Sequence, residues 1–158
     1  MSILKFLMVL SLIVWLGGVI FFGAVLAPTV FTVLPTRHLA GSVVSPSLNR
    51  LHWMGIISGI VFLISSMIYG RVSSGSAHVF AARHVLLVIM LLLTLTSQLA
   101  ITPKMATLRA SMGEIDNVAP TDPARMQFNA LHIWSTRLEM GVLFLGLAVV
   151  YLTAAQLK

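Results

Sequence analysis

Residues 6–27 read FLMVLSLIVWLGGVIFFGAVLA, 22 consecutive positions without a charge. A helix crossing a bilayer needs about 17–25 mainly apolar residues, so this one stretch is enough for a span. It is also longer than the roughly 7–15 residues of a signal-peptide core. A cut after Ala27 would fall directly before Pro28, and the segment is therefore expected to be retained. The run continues past Pro28, which should kink it, and ends at Pro35 because proline supplies no backbone donor.

Three more runs of the same kind follow. The pattern predicts helices over 3–34, 46–69, 83–112 and 123–155, with Pro103 bending the third. Ser45-Pro46 and Asp122-Pro123 have the form of an N-cap followed by proline at the first helical position. Gly113 is a suitable terminator for the third helix. The expected fold class is all-α: an integral membrane four-helix bundle built from two transmembrane helical hairpins, in a single transmembrane domain over 1–158. The connections are 36–45, 70–82 and 113–121. The middle one carries the flexible composition Arg71-Val72-Ser73-Ser74-Gly75-Ser76.

Composition agrees. Hydrophobic residues make up 58% and charged residues 9%, with a mean hydropathy of +1.01. Soluble domains carry about 25% charged residues, so the natural solvent of this chain is lipid. Ten Lys and Arg against four Asp and Glu give a net charge of +6. The basic residues stand singly between apolar runs, which suits headgroup anchoring and argues against a nucleic-acid partner. The absence of cysteine removes disulfides, thiolate catalysis and Cys-held metals. No Ser-His-Asp set, glycine-rich phosphate loop or HExxH occurs, so no catalytic residue is assigned and the protein is read as non-enzymatic. The expected location is a bacterial inner (plasma) membrane, crossed several times. Arg37, Arg50, Lys104, Arg109 and Arg125 on one side against Lys5, Arg71, Arg83 and Lys158 on the other favour the first side as cytoplasmic by a single charge.

The second and fourth helices open alike, Leu48-Asn49-Arg50-Leu51-His52 against Phe128-Asn129-Ala130-Leu131-His132. Ala27-Pro28 and Thr102-Pro103 precede them at separations of 24 and 29 residues from proline to histidine. The chain thus reads as an internal repeat of two hairpins, with His52 and His132 entering from one membrane side at similar depth. At about 100° per residue, Asn129, His132, Ser135, Thr136 and Glu139 share one face of the last helix. Asn49, His52, Gly55 and Gly59 share a face of the second, where Gly55 and Gly59 permit close approach of a neighbour.

Glu139 and Arg137 are the costliest residues, at roughly 2.5–3.5 kcal/mol for a charge at a helix centre on insertion scales. Glu139 is expected to answer to His132, His52 or Lys104, and Arg137 to snorkel or to pair with Glu114 or Asp116. The inward polar cluster is Asn49, His52, Asn129, His132 and Glu139. Three roles stay open for it: bonding between helices, ligation through His52 and His132 of haem b or, with Glu139, of a transition metal, and proton or solute handling. The methionines, Trp15, and His38, His78 and His84 read as packing or interfacial residues. Trp53 and Trp134 fit an interfacial aromatic belt. Thr94 and Ser97 are expected to bond their own backbone and Gln98 a neighbouring helix.

Trp15-Leu-Gly-Gly-Val-Ile-Phe21-Phe22, Leu26-Ala27-Pro28-Thr-Val-Phe31 and Leu39-Ala40-Gly41, with Phe128-Asn-Ala-Leu-His132 in the last helix, resemble the uncharacterised membrane family typified by transmembrane protein 205. The resemblance implies a small four-helix membrane protein without an agreed activity. It extends distantly to four-helix copper-resistance proteins and to the membrane protoporphyrinogen oxidase, which adds weight to a haem or metal reading. Two further classes remain: transport or export of a small solute or metal compound by a homo-oligomer joined through Gly55 and Gly59, and an accessory subunit of a larger membrane complex.

Overall fold

The computed structural model describes residues 1–75 and 80–156; His78 and Lys158 lie outside the described residues. Among these, every regular element is helical. The helices are α1 (Ser2–Phe21), α2 (Ala27–Val33), α3 (Arg37–Ser74), α4 (Ala82–Thr96), α5 (Thr102–Met112) and α6 (Pro123–Gln156). α1 runs into α2 and α4 into α5 without a break, so the chain makes four spans: Ser2–Val33, Arg37–Ser74, Ala82–Met112 and Pro123–Gln156. The protein is an all-α, multi-pass integral membrane protein.

Each proline near the end of a first-of-pair span is preceded by a π-helical turn. Phe22–Leu26 precedes Pro28, and Ser97–Ile101 precedes Pro103. In both turns the amide after the turn donates five residues back, Ala27 to Phe22 and Thr102 to Ser97. A proline ring clashes with the carbonyl four residues earlier and offers that carbonyl no donor. Widening the preceding turn by one residue moves the clash aside while the neighbouring amides stay bonded, as hydrocarbon requires.

α3 begins nine residues before the expected 46, and Pro46 lies inside it. The reason is Thr36, whose Oγ1 accepts from the Leu39 amide at 3.1 Å and caps the helix earlier than Ser45. Pro46 leaves the Ser42 carbonyl without its usual donor, but Ser42 is exposed. The expected connection 36–45 is therefore mostly helix. At its other end α3 extends through the segment read as flexible, as far as Ser74, and stops at Gly75 with φ 73°. The remaining signals act as expected. Asp122 Oδ1 accepts from the amides of Ala124 at 2.8 Å and Arg125 at 3.3 Å, and Gly113, with φ 61°, ends α5.

α1 packs along α3 and α4 along α6, with α3 against α4 and α1 against α6 closing the ring. The core inside it holds Met8, Leu12, Trp15, Phe62, Leu87 and Val149 among others. Outward positions such as Ile13, Ile57, Leu92 and Phe144 are apolar and exposed, the surface a lipid solvent calls for. Trp15 seats against the two α3 glycines. A β-carbon on Gly59 would stand 2.8 Å from Trp15 Cζ3 and 2.7 Å from Leu91 Cδ2, and one on Gly55 would collide with the indole nitrogen. Both glycines are buried within the chain and consumed by this packing. They cannot supply the oligomer interface expected of them.

Replacing Gly59 with Val should destabilise the bundle by about 1–3 kcal/mol, the usual cost of overpacking. Gly17→Val, where nothing lies within 4 Å of the added carbon, should be near neutral. Midpoints of unfolding in mild detergent with added SDS compare the two, and equal midpoints would contradict the close approach.

Candidate functional site

His52 lies on α3 with 1% of its surface exposed. Its Nε2 stands 2.6 Å from Oε1 of Glu139 on α6, and its Nδ1 stands 2.9 Å from Oε1 of Gln98 in the second π turn. Gln98 Nε2 in turn donates to Asn49 Oδ1, one turn of α3 before His52. Three of the four spans thus meet on one imidazole. Ser97 and Gln98 open this π turn, and both are buried.

The direction of these bonds follows from the amide chain. Because Gln98 gives its NH2 to Asn49, its carbonyl oxygen faces His52 Nδ1, and that nitrogen carries a hydrogen. The opposite contact, Nε2 to a carboxyl oxygen, then needs a proton of its own. Either the ring is imidazolium beside a carboxylate, or a neutral ring accepts from a protonated Glu139. In both forms one proton lies between Nε2 and Oε1, and the pair carries no net charge. Without it, two lone pairs would face each other across 2.6 Å.

Glu139 is 17% exposed and opens onto a cavity of about 890 Å³. The face of α6 read from the sequence is the one that lines it: Asn129, His132, Ser135, Thr136 and Glu139 are all wall residues. α1, the first π turn, α2, α3 and α5 complete the wall, including Phe22, Pro28, Leu48 and Met105. The cavity occupies the half of the bundle nearer the two connections that follow α2 and α5. Three arginines, Arg37, Arg109 and Arg125, line its end.

His52 and His132 are not brought level. His52 stands beside Glu139, seven residues beyond His132 along α6, or roughly 10 Å at 1.5 Å per residue. The early start of α3 is the cause: His52 lies 16 residues from its cap at Thr36 and His132 ten from Asp122. Asn49 joins the His52 network, whereas Asn129 and His132 are exposed on the cavity wall. Among the described residues no three His, Cys, Asp or Glu side chains converge as a metal site would need. Both ring nitrogens of His52 are already engaged, which leaves that ring no lone pair for iron or another metal. The donor set does not fit a bis-histidine haem in this arrangement.

Other expectations change as well. Arg137 pairs with neither Glu114 nor Asp116; its guanidinium carbon lies 5.3 Å from the Trp134 ring centroid. Asp116 Oδ2 instead accepts from the His38 amide at 3.1 Å. Thr94 and Ser97 do not bond their own backbone, since both hydroxyls are buried without a partner. His84 is not interfacial: it is 3% exposed, with Nε2 2.7 Å from Ser66 Oγ, which also accepts from Arg83 Nε at 3.0 Å. This second buried polar group at the far end of the bundle escaped the sequence reading, although Arg83-His84 at the mouth of an apolar run was a visible signal.

No curated protein and no solved structure matches the chain. A family model described as a domain of unknown function, DUF4149, matches residues 10–114. The match spans His52, Gln98 and both π turns and stops before α6, which carries Glu139. Covering well over half of the sequence, it establishes that the chain belongs to the DUF4149 family.

Proposed function

We propose that this protein binds a lipophilic solute in its intramembrane cavity, and that the His52–Glu139 pair is the proton-holding element of that site. One observation carries the reading: a fully buried imidazole is tied at 2.6 Å to a carboxyl group that lines a cavity of about 890 Å³. That volume lies in the upper part of the range of roughly 300–1,000 Å³ typical of ligand cavities. Ionisable residues inside spans are costly, and they commonly mark solute or proton paths. The reading belongs to the solute-handling class and calls for no catalytic residue.

The same reading takes the chain as a relative of the transmembrane protein 205 family and its two hairpins as a duplication. The equal spacing of Phe22–Leu26 to Pro28 and of Ser97–Ile101 to Pro103 supports the duplication. So do Asn49 and His52 against Asn129 and His132. One copy keeps its histidine in the core and the other presents it to the cavity, a division of labour that duplicated hairpins permit. Helical spans suit an inner or plasma membrane, since bacterial outer membranes are crossed by β-barrels.

Protein purified in mild detergent should carry one hydrophobic molecule per chain, detectable by organic extraction and mass spectrometry. Ala106→Trp, which fills the cavity from an exposed α5 position lining it, should abolish that molecule without unfolding the bundle. An empty wild-type protein would overturn the reading, and a Soret band would return the histidines to haem. Separately, His52→Ala should cost about 3–5 kcal/mol in unfolding experiments, because it strands Glu139 and breaks a buried pair. His52→Ala combined with Glu139→Ala should recover part of that loss. A double variant as unstable as the sum of both singles would show that the two side chains are not coupled.

A further inference from the structure

Resting on the reading of the cavity as a ligand site, we infer that its occupant is an anionic phospholipid of the surrounding bilayer, with the phosphate held at Arg109 between Arg37 and Arg125. All three arginines line the cavity, and none is in an ion pair with a carboxylate among the described residues. Of the three acidic side chains between Arg109 and Arg125, Glu114 is exposed and in no ion pair, and the other two are committed elsewhere. Asp116 accepts from the His38 amide, and Asp122 caps α6. Arg125 gives one Nη to the Val118 carbonyl, while Arg109 makes no polar contact and its Nε is buried without a partner.

Arg109 is confined on two sides. Its guanidinium lies against Gly41 of α3, where any β-carbon would overlap it, and over the Phe128 ring with Cζ 5.6 Å from the centroid. These contacts restrict the guanidinium in advance, and a guanidinium fork matches phosphate oxygens in pairs. The glycine at 41 thus shapes a cation-bearing floor.

The rest of the cavity names the other half of the ligand. Apart from the polar strip of α6, the wall is mainly apolar, through Val19, Phe22, Leu48, Phe128 and Leu143. The lining residues Phe31 on α2 and Met140 on α6 are about half exposed, at 47% and 50%. Both belong to segments long and apolar enough to span a membrane, so the cavity adjoins a surface suited to lipid. An anion with an apolar body that arrives from the bilayer is a lipid with a charged headgroup, whereas free phosphate would gain nothing from the wall.

Native mass spectrometry of the full chain in mild detergent tests this with three probes: phosphatidylglycerol, phosphatidylcholine and inorganic phosphate. One phosphatidylglycerol per chain should be retained in preference to the other two. Arg109→Gln should weaken its retention by about tenfold, the loss expected for a charge-assisted pair. Gly41→Ala should do the same with every charge kept, because the new methyl displaces only the free end of Arg109 and leaves the backbone in place. Arg109→Lys should retain part of the affinity. Equal melting temperatures of the variants show that the bundle is intact. Equal retention of phosphatidylcholine, or tight binding of phosphate alone, would overturn the inference. So would full retention of phosphatidylglycerol by Gly41→Ala and Arg109→Gln. In each of these cases an extracted neutral hydrophobic molecule would still uphold the binding site itself, whereas protein that retains no molecule of any kind sinks both.

Discussion

In hydrocarbon every backbone donor and acceptor must find its partner inside the protein, and this rule shapes the site more than any side chain does. Pro28 and Pro103 are each relieved by a widened turn just before them, while Pro46 frees only an exposed carbonyl near the start of α3. The two turns have different consequences. In the first span the turn and Pro28 line the open half of the bundle. In the other, the turn carries the buried Ser97 and the Gln98 that bonds His52. Cavity and network both adjoin the places where a helix stays bonded through proline.

The imidazole at the centre shows how a polar group survives in such a setting. His52 has no exposed surface to speak of, yet each of its nitrogens has a partner from a different span. Gln98 and Asn49 fix which nitrogen carries hydrogen, and Glu139 takes up the other. A buried pair of this kind contributes little to stability when compared with apolar packing, but it specifies one arrangement of helices. It also ties the last span to a register in which a whole polar face of α6 looks into the cavity.

Much of this was legible in the sequence. Apolar run lengths set the four spans, Asp122 and Gly113 punctuated them as expected, and the 3.6-residue period grouped the five α6 residues that do share one wall. Glu139 found one of the partners foreseen for it, and Gln98 bonds a neighbouring helix. What escaped were features that depend on register between helices. Thr36 outcompeted Ser45 as a cap, because a proline is tolerated inside the first turns of a long helix where its freed carbonyl is accessible. That slip of nine residues moved His52 away from His132. The π turns likewise alter which residues face inward, and periodicity assumes a regular helix. Arg37, Arg109 and Arg125 were visible only as scattered anchors, since their common address arises from three different spans.

α3 has a further consequence through its length alone. Its 38 residues measure about 57 Å at 1.5 Å per residue, nearly twice the roughly 30 Å hydrocarbon thickness. Even at a 40° tilt, the steep end of what membrane helices adopt, it would span about 44 Å along the normal. The rod cannot be hidden by leaning. Some of it stands clear of the acyl layer, so at least one end of α3 lies among the headgroups or beyond them.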